Sequence, residues 1–149
     1  MEALRRRLLK SAAAALAAFI LRPLRVLAAE WDKALFGIAD FAAVLRAYGA
    51  ADAQASTEIT LVAPDIAENG AVVPVDVASA IPGTVEIAVF AEKNPLPLIC
   101  RIFIPEGTLP AVSMRLRLAE TTRVRAVVKA GGQHYVAARE VKVVGGGCA

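Results

Sequence analysis

Two periodicities divide the chain. Across residues 30–48 the large apolar side chains fall at Trp31, Leu35, Phe36, Ile38, Phe41, Val44, Leu45 and Tyr48. Steps of three and four place them on one helical face and leave Asp32, Lys33, Asp40 and Arg46 outside it. Gly37 weakens the centre of this segment and Gly49 supplies a stop, so the pattern predicts one amphipathic helix or two short ones. Residues 50–56 hold no large apolar side chain and read as a linker.

From Thr57 onward the period drops to two. Ile59 and Leu61 share one face, and the stretch APDIAENG that follows reads as a turn on the strength of Asn69-Gly70. Val73, Val75 and Val77 form the next face, where Pro74 argues for an edge or irregular strand. Val85, Ile87 and Val89 repeat the pattern, and residues 98–104, 114–118, 123–129 and 134–144 complete it. The last two strands read as a hairpin closed at Ala130-Gly131-Gly132-Gln133. About seven short strands behind one helical segment predict a mainly β fold, an antiparallel β-sandwich with an N-terminal amphipathic helix.

The first 28 residues follow neither pattern. A charged stretch RRRLLK, an apolar run over residues 11–21 and a small-residue end VLAA have the three parts of an export signal, with cleavage expected after Ala28. The run is short for a permanent membrane anchor. Arg5 and Arg6, followed by Arg7-Leu8-Leu9-Lys10, fit a twin-arginine signal, and Arg22 and Arg25 near the cut favour that route. The expected location is therefore the periplasm, with no membrane attachment after cleavage. The organisation predicted is a signal peptide over 1–28, a helix and linker over 29–56, a β-sandwich over 57–144 and a flexible tail over 145–149.

This segment also changes the meaning of the charge. The whole chain carries +3, but six of its 17 Lys and Arg residues precede Ala29 against the single acid Glu2. The remainder has 11 basic and 13 acidic residues, a net −2, so the electrostatic case for nucleic acid disappears. Arg115, Arg117, Arg123 and Arg125 alternate with apolar residues, either as the charged outer face of a half-buried sheet or as a cationic patch for small anions or an acidic partner.

Groups able to do chemistry are few. The one histidine, His134, sits at the hairpin turn and reads as a solvated residue; no triad or multi-histidine metal site can be assembled around it. Acidic residues are scattered without a pair suited to acid and base work. Gly145-Gly146-Gly147 leads into no helix, which excludes a phosphate loop.

Two cysteines remain. Cys100 alternates with Leu98, Ile102 and Ile104 and is expected inside the core. Cys148 follows the three glycines, and a bond to Cys100 or a free thiol are both open. Four extended residues reach roughly 13–14 Å, so Gly145 to Cys148 could act as a thin arm entering a narrow channel. An ordinary thiol is only about 3% thiolate at pH 7, so activation would come from whatever receives the arm. These properties describe a carrier better than a catalyst.

The segments APDIAENGAVVPV, AEKNPLPLICRIFIP, VSMRLRLAETTRVRAVVKAGG and YVAAREVKVVGGGC, taken together and in this order, resemble the SoxY family, the sulfur-carrier subunit of the SoxYZ complex of bacterial thiosulfate oxidation. The resemblance implies an immunoglobulin-like sandwich paired with a SoxZ-like subunit, with Cys148 as the covalent sulfur carrier and Gly145, Gly146 and Gly147 as its swinging arm. It implies a non-catalytic protein without cofactor that docks transiently to a c-type cytochrome enzyme, a hydrolase and a sulfur dehydrogenase. Ile99 and Phe103, beside Arg101, are candidates for the SoxZ contact. The family tail usually reads Gly-Gly-Cys-Gly-Gly, whereas Cys148 here is followed by Ala149. The competing function is a non-catalytic binding module with an incidental thiol; a thiol oxidoreductase is disfavoured because no second cysteine lies near Cys148 in sequence.

Overall fold

The computed structural model describes residues 32–144. The expected signal peptide with Arg5 and Arg6, the apolar Trp31 and the tail over 145–149 lie outside the described residues. Two short helices come first, α1 (Lys33–Phe36) and α2 (Phe41–Tyr48). Asp32 caps α1 by accepting the Leu35 N–H at 3.1 Å, and Asp40 caps α2 by accepting the Ala43 N–H at 2.6 Å. Each cap satisfies a donor that the first helical turn leaves without a partner. Gly49 ends α2 at φ +83°, a left-handed position that glycine adopts without strain.

Nine strands follow: β1 (Gln54–Ala55), β2 (Ile59–Val62), β3 (Ile66–Ala67), β4 (Val73–Ser79), β5 (Thr84–Ala91), β6 (Leu98–Phe103), β7 (Ala111–Leu116), β8 (Thr122–Ala130) and β9 (Gln133–Val143). Seven have four or more residues. β1, β9, β8, β5 and β6 form the large sheet in that order, with β3 also on β9, and β2, β4 and β7 form the small one. The main core lies between the sheets and contains Val73, Val75, Val77, Ile87, Val89, Val124, Ala126, Val128 and Val141. A second core, with Leu35, Val44, Ala88, Phe90, Leu98 and Val127, joins the helices to the other face of the large sheet. β5 is thus covered on both sides, which explains its unbroken apolar run from Ile87 to Ala91. Phe90 makes T-shaped contacts with Phe41 and Tyr48 at centroid distances of 6.3 and 5.6 Å.

The β8–β9 hairpin pairs Ala130 with Gln133 around Gly131 at φ +57° and Gly132 at φ +79°. Two consecutive left-handed residues make the tight turn whose twist matches the flanking strands.

Several local expectations change. The linker over 50–56 contains β1, paired in parallel with Tyr135 and Val136 of β9. The turn after β2 contains β3, paired in parallel with Lys142 and Val143. Pro74 lies in the middle strand of the small sheet, at a position paired on one side alone. Pairing with β2 ends at Val62 and Asp76, so at Pro74 only β7 is a neighbour and the missing N–H is tolerated.

Two register shifts redistribute side chains. One between Thr84 and Glu86 turns Val85 outward to 49% exposure, away from Ile87 and Val89. The other, opposite Val89 and Phe90, sends Leu98 to the helix side while Ile99 and Cys100 pack on the main core. Ile99 therefore leaves the outer face that its spacing assigned it with Arg101 and Phe103.

Candidate functional site

The large sheet leads to one exit point. β9 pairs with β8 as far as Val141 opposite Thr122. Beyond it, the Lys142 N–H donates to the Asp65 carbonyl at 2.9 Å, and the Val144 N–H donates to the Ala67 carbonyl at 3.1 Å. The Val143 N–H donates to Thr121 Oγ1 at 3.0 Å, and the Arg139 guanidinium bonds Asp65 Oδ1 at 2.8 Å. Val144 is 71% exposed and Ile66 is 58% exposed, so the strand emerges beside two uncovered apolar side chains. The three glycines and Cys148 continue from this point.

Cys100 is remote from it. It shares a row across the large sheet with Val89, Ala126 and Ala137, whereas Val144 lies seven residues farther along β9. Three strand spacings and seven residue rises separate the two by roughly 27 Å, while four residues span at most about 14 Å. Disulfide geometry adds only about 7 Å, so a Cys100–Cys148 bond within one chain is out of reach. Cys100 is half-buried, its thiol pointing to Met114 Sδ at 3.8 Å, and burial raises its pKa. It behaves as a small hydrophobe with a suppressed thiolate.

Elsewhere, a buried acid joins the helical layer to the large sheet. Glu86, 4% exposed, accepts from Arg101 Nε at 2.6 Å, from Arg101 Nη2 at 3.2 Å and from the Tyr48 hydroxyl at 3.1 Å. Arg101 lies over the rings of Tyr48 and Phe103 at 5.3 Å from each centroid. Burial, followed by the Glu86 charge, pushes the Tyr48 phenol well above its ordinary value. His134 is not simply solvated at the turn. Its ring packs on Tyr48 at 5.3 Å, and burial, with the Lys129 charge, lowers its pKa.

The arginines are divided between the sheets, Arg115 on β7 and Arg123 and Arg125 on β8, and do not make one patch. Arg125 bonds Glu92 at 2.5 Å and lies over Phe41. Among the described residues there is no group of three metal-ligating side chains, and no helix is long and apolar enough to cross a membrane. An open cleft of about 600 Å³, lined by Ile81, Pro82, Val85, Ile104, Pro105 and Pro110 with Glu106 as its one ionisable residue, lies at the end of the sandwich away from Val144.

The SoxY family profile, described as sulfur oxidation protein SoxY, matches residues 44–148, from inside α2 to Cys148. The chain belongs to the SoxY family. The solved structure of the sulfur carrier protein SoxY from Chlorobium limicola f thiosulfatophilum is 44% identical, with a TM-score of 0.61 over 68% of this chain and 93% of that one. A superoxide reductase (neelaredoxin) from Ignicoccus hospitalis is 18% identical, covering 58% of this chain and 80% of that one, and its TM-score of 0.48 supports no argument about function. No curated protein sequence matches the chain.

Sequence patterning singled out the SoxY tail glycines and Cys148 but missed the residues around Val144. Ala67 acts there through its backbone carbonyl, Thr121 through a single hydroxyl and Asp65 through its carbonyl and one carboxylate bond, none of which leaves a periodic signal. At the expected turn the Val72 N–H donates to the Asn69 carbonyl at 3.4 Å, across Gly70. Its φ is not left-handed, and it is buried against Leu118 and Val143.

Proposed function

We propose that the protein carries inorganic sulfur covalently on Cys148, with Gly145, Gly146 and Gly147 as the arm that presents it to sulfur-oxidising enzymes. The observation that carries this reading is the extent of the family match. It runs through residue 148 and so includes the arm as well as the sandwich. The chemistry needs a reachable thiol and little else from this chain. Thiosulfate and the Cys148 thiol join through a new S–S bond, releasing one proton and two electrons to a c-type cytochrome enzyme. Water then cleaves the terminal sulfonate as sulfate in a hydrolase, leaving the neutral persulfide and one proton, and a sulfur dehydrogenase, passing the electrons to its own acceptor, oxidises the remaining sulfane sulfur.

Glycine suits the arm because it adds reach without bulk. A SoxZ-like subunit completes the heterodimer, with Phe103, 55% exposed over Arg101, as the candidate contact that remains on the outer face. Arg5 and Arg6 direct export by the twin-arginine route to the periplasm, which N-terminal sequencing of the exported protein tests; a start at Met1 refutes it.

Intact mass after incubation with thiosulfate and the partner enzymes tests the carrier. Thiosulfonate or sulfane adducts are expected on the wild type and absent from Cys148→Ser. An unmodified thiol in the wild type supports the binding module instead.

A further inference from the structure

β9 outruns the strand that forms its hairpin. Three residues beyond the last β8 pair, Lys142, Val143 and Val144, are held by the carbonyls of Asp65 and Ala67 and by the hydroxyl of Thr121. Strand ends with so few partners ordinarily fray. Here the Val143 side chain packs on the main core and meets Gly70. A Cβ at Gly70 would stand 2.5 Å from the Leu118 carbonyl oxygen and 2.9 Å from Val143 Cγ1. Gly70 also accepts the Leu118 N–H at 2.7 Å, which draws this segment tightly onto the chain beside Thr121. Glycine is therefore required at position 70 by space and not by backbone angle.

We propose that Gly70 and the Thr121 hydroxyl form a seat for Val143 that fixes the root of the carrier arm at Val144, which makes both positioning residues for the delivery of Cys148. The inference rests on the carrier reading. With the seat closed, four residues separate Val144 from Cys148, a reach of about 14 Å; with it open to Val141, seven residues reach about 25 Å. Lengthening the tether dilutes its end as roughly the −3/2 power of length, so Cys148 becomes about two-fold less concentrated at a site matched to the short arm. The seat thus sets both how deep the thiol enters a partner's channel and how often it arrives.

The test compares Thr121→Val, Thr121→Ser and Gly70→Ala in the full mature chain with its partner subunit. Three readouts are needed: amide hydrogen exchange at residues 142–144, the rate of sulfur loading by thiosulfate with the cytochrome enzyme at limiting enzyme, and alkylation of Cys148 by iodoacetamide. Loss of the Thr121 acceptor is expected to raise exchange at residues 142–144 about ten-fold, the equivalent of roughly one net hydrogen bond. Enzyme-dependent loading falls, reaching about two-fold where the seat stands open in most molecules. Alkylation, which needs no docking, is unchanged, and Thr121→Ser restores the wild-type values. Exchange in Thr121→Val as slow as in the wild type overturns the seat. So does an opened strand end with unaltered loading. If Gly70→Ala fails to fold, the Thr121 pair decides alone. A wild type that takes up no sulfur refutes the carrier reading, while exchange still reports on the seat.

Discussion

Removing the Arg101 guanidinium tests how the helical layer is pinned to the large sheet. In Arg101→Met the hydrocarbon stem is kept, but the Glu86 carboxylate, with 5% of its side chain exposed, loses both guanidinium bonds and retains only the Tyr48 hydroxyl. Breaking a buried pair by removing one partner costs about 3–5 kcal/mol, because the remaining charge stays out of water. The Arg101 side chain is 22% exposed, so solvent already shares in the pair and the lower end, about 3 kcal/mol, applies. For a domain of this size that corresponds to a fall in melting temperature of about 12 °C. Urea denaturation followed by far-ultraviolet circular dichroism measures it. Arg101→Met/Glu86→Gln leaves no charge behind and is expected to recover most of the loss, to within about 1 kcal/mol of wild type. Hydrogen exchange adds a local signature: because Tyr48 belongs to α2, the α2 amides should exchange faster in the single variant. A loss below about 1 kcal/mol would make this an ordinary surface pair. A double variant no more stable than the single one would refute the reasoning from desolvation.

Three other outcomes follow from separate features. Gly131→Ala forces a side chain onto a left-handed residue of the β8–β9 turn and should cost about 1 kcal/mol by chemical denaturation, with Gly131→Asn costing less. The His134 pKa is lowered in the folded protein, so below its unfolded value near 6.5 the unfolded chain binds the extra proton first and stability falls with falling pH, levelling off below the folded value; His134→Gln should remove that slope between pH 7 and 5 in thermal melts. Burial raises the Cys100 pKa, so alkylation with iodoacetamide at pH 7.5, read by intact mass, should add one label at Cys148 in native protein and a second only after denaturation; rapid double labelling of the native protein would refute the placement of Cys100.

Period-two patterning sufficed for the seven longer strands and the final hairpin because each of those signals is local. Alternation sets which face of a strand is buried, and Gly131-Gly132 sets the turn. The stop at Gly49 was equally local, whereas Asp32 and Asp40, expected only outside the apolar face, proved to be the caps of α1 and α2. The register shifts that turned Val85 and Ile99 from their expected faces were not local, because a bulge depends on what the neighbouring strand places opposite. The same holds for β1 and β3, two-residue pieces that exist only because β9 passes beside them.

At the end of β9, the division runs through Val144. The sequence by itself determined that a thiol stands behind three glycines after the last alternating segment and that a single histidine is available to this chain, since both follow from residue identity and order. Only the tertiary structure decided what holds β9 as far as Val144 and what Cys100 can touch. Those depend on strand order and on distances between segments remote in sequence, such as Gly70 against Val143, which no local pattern encodes.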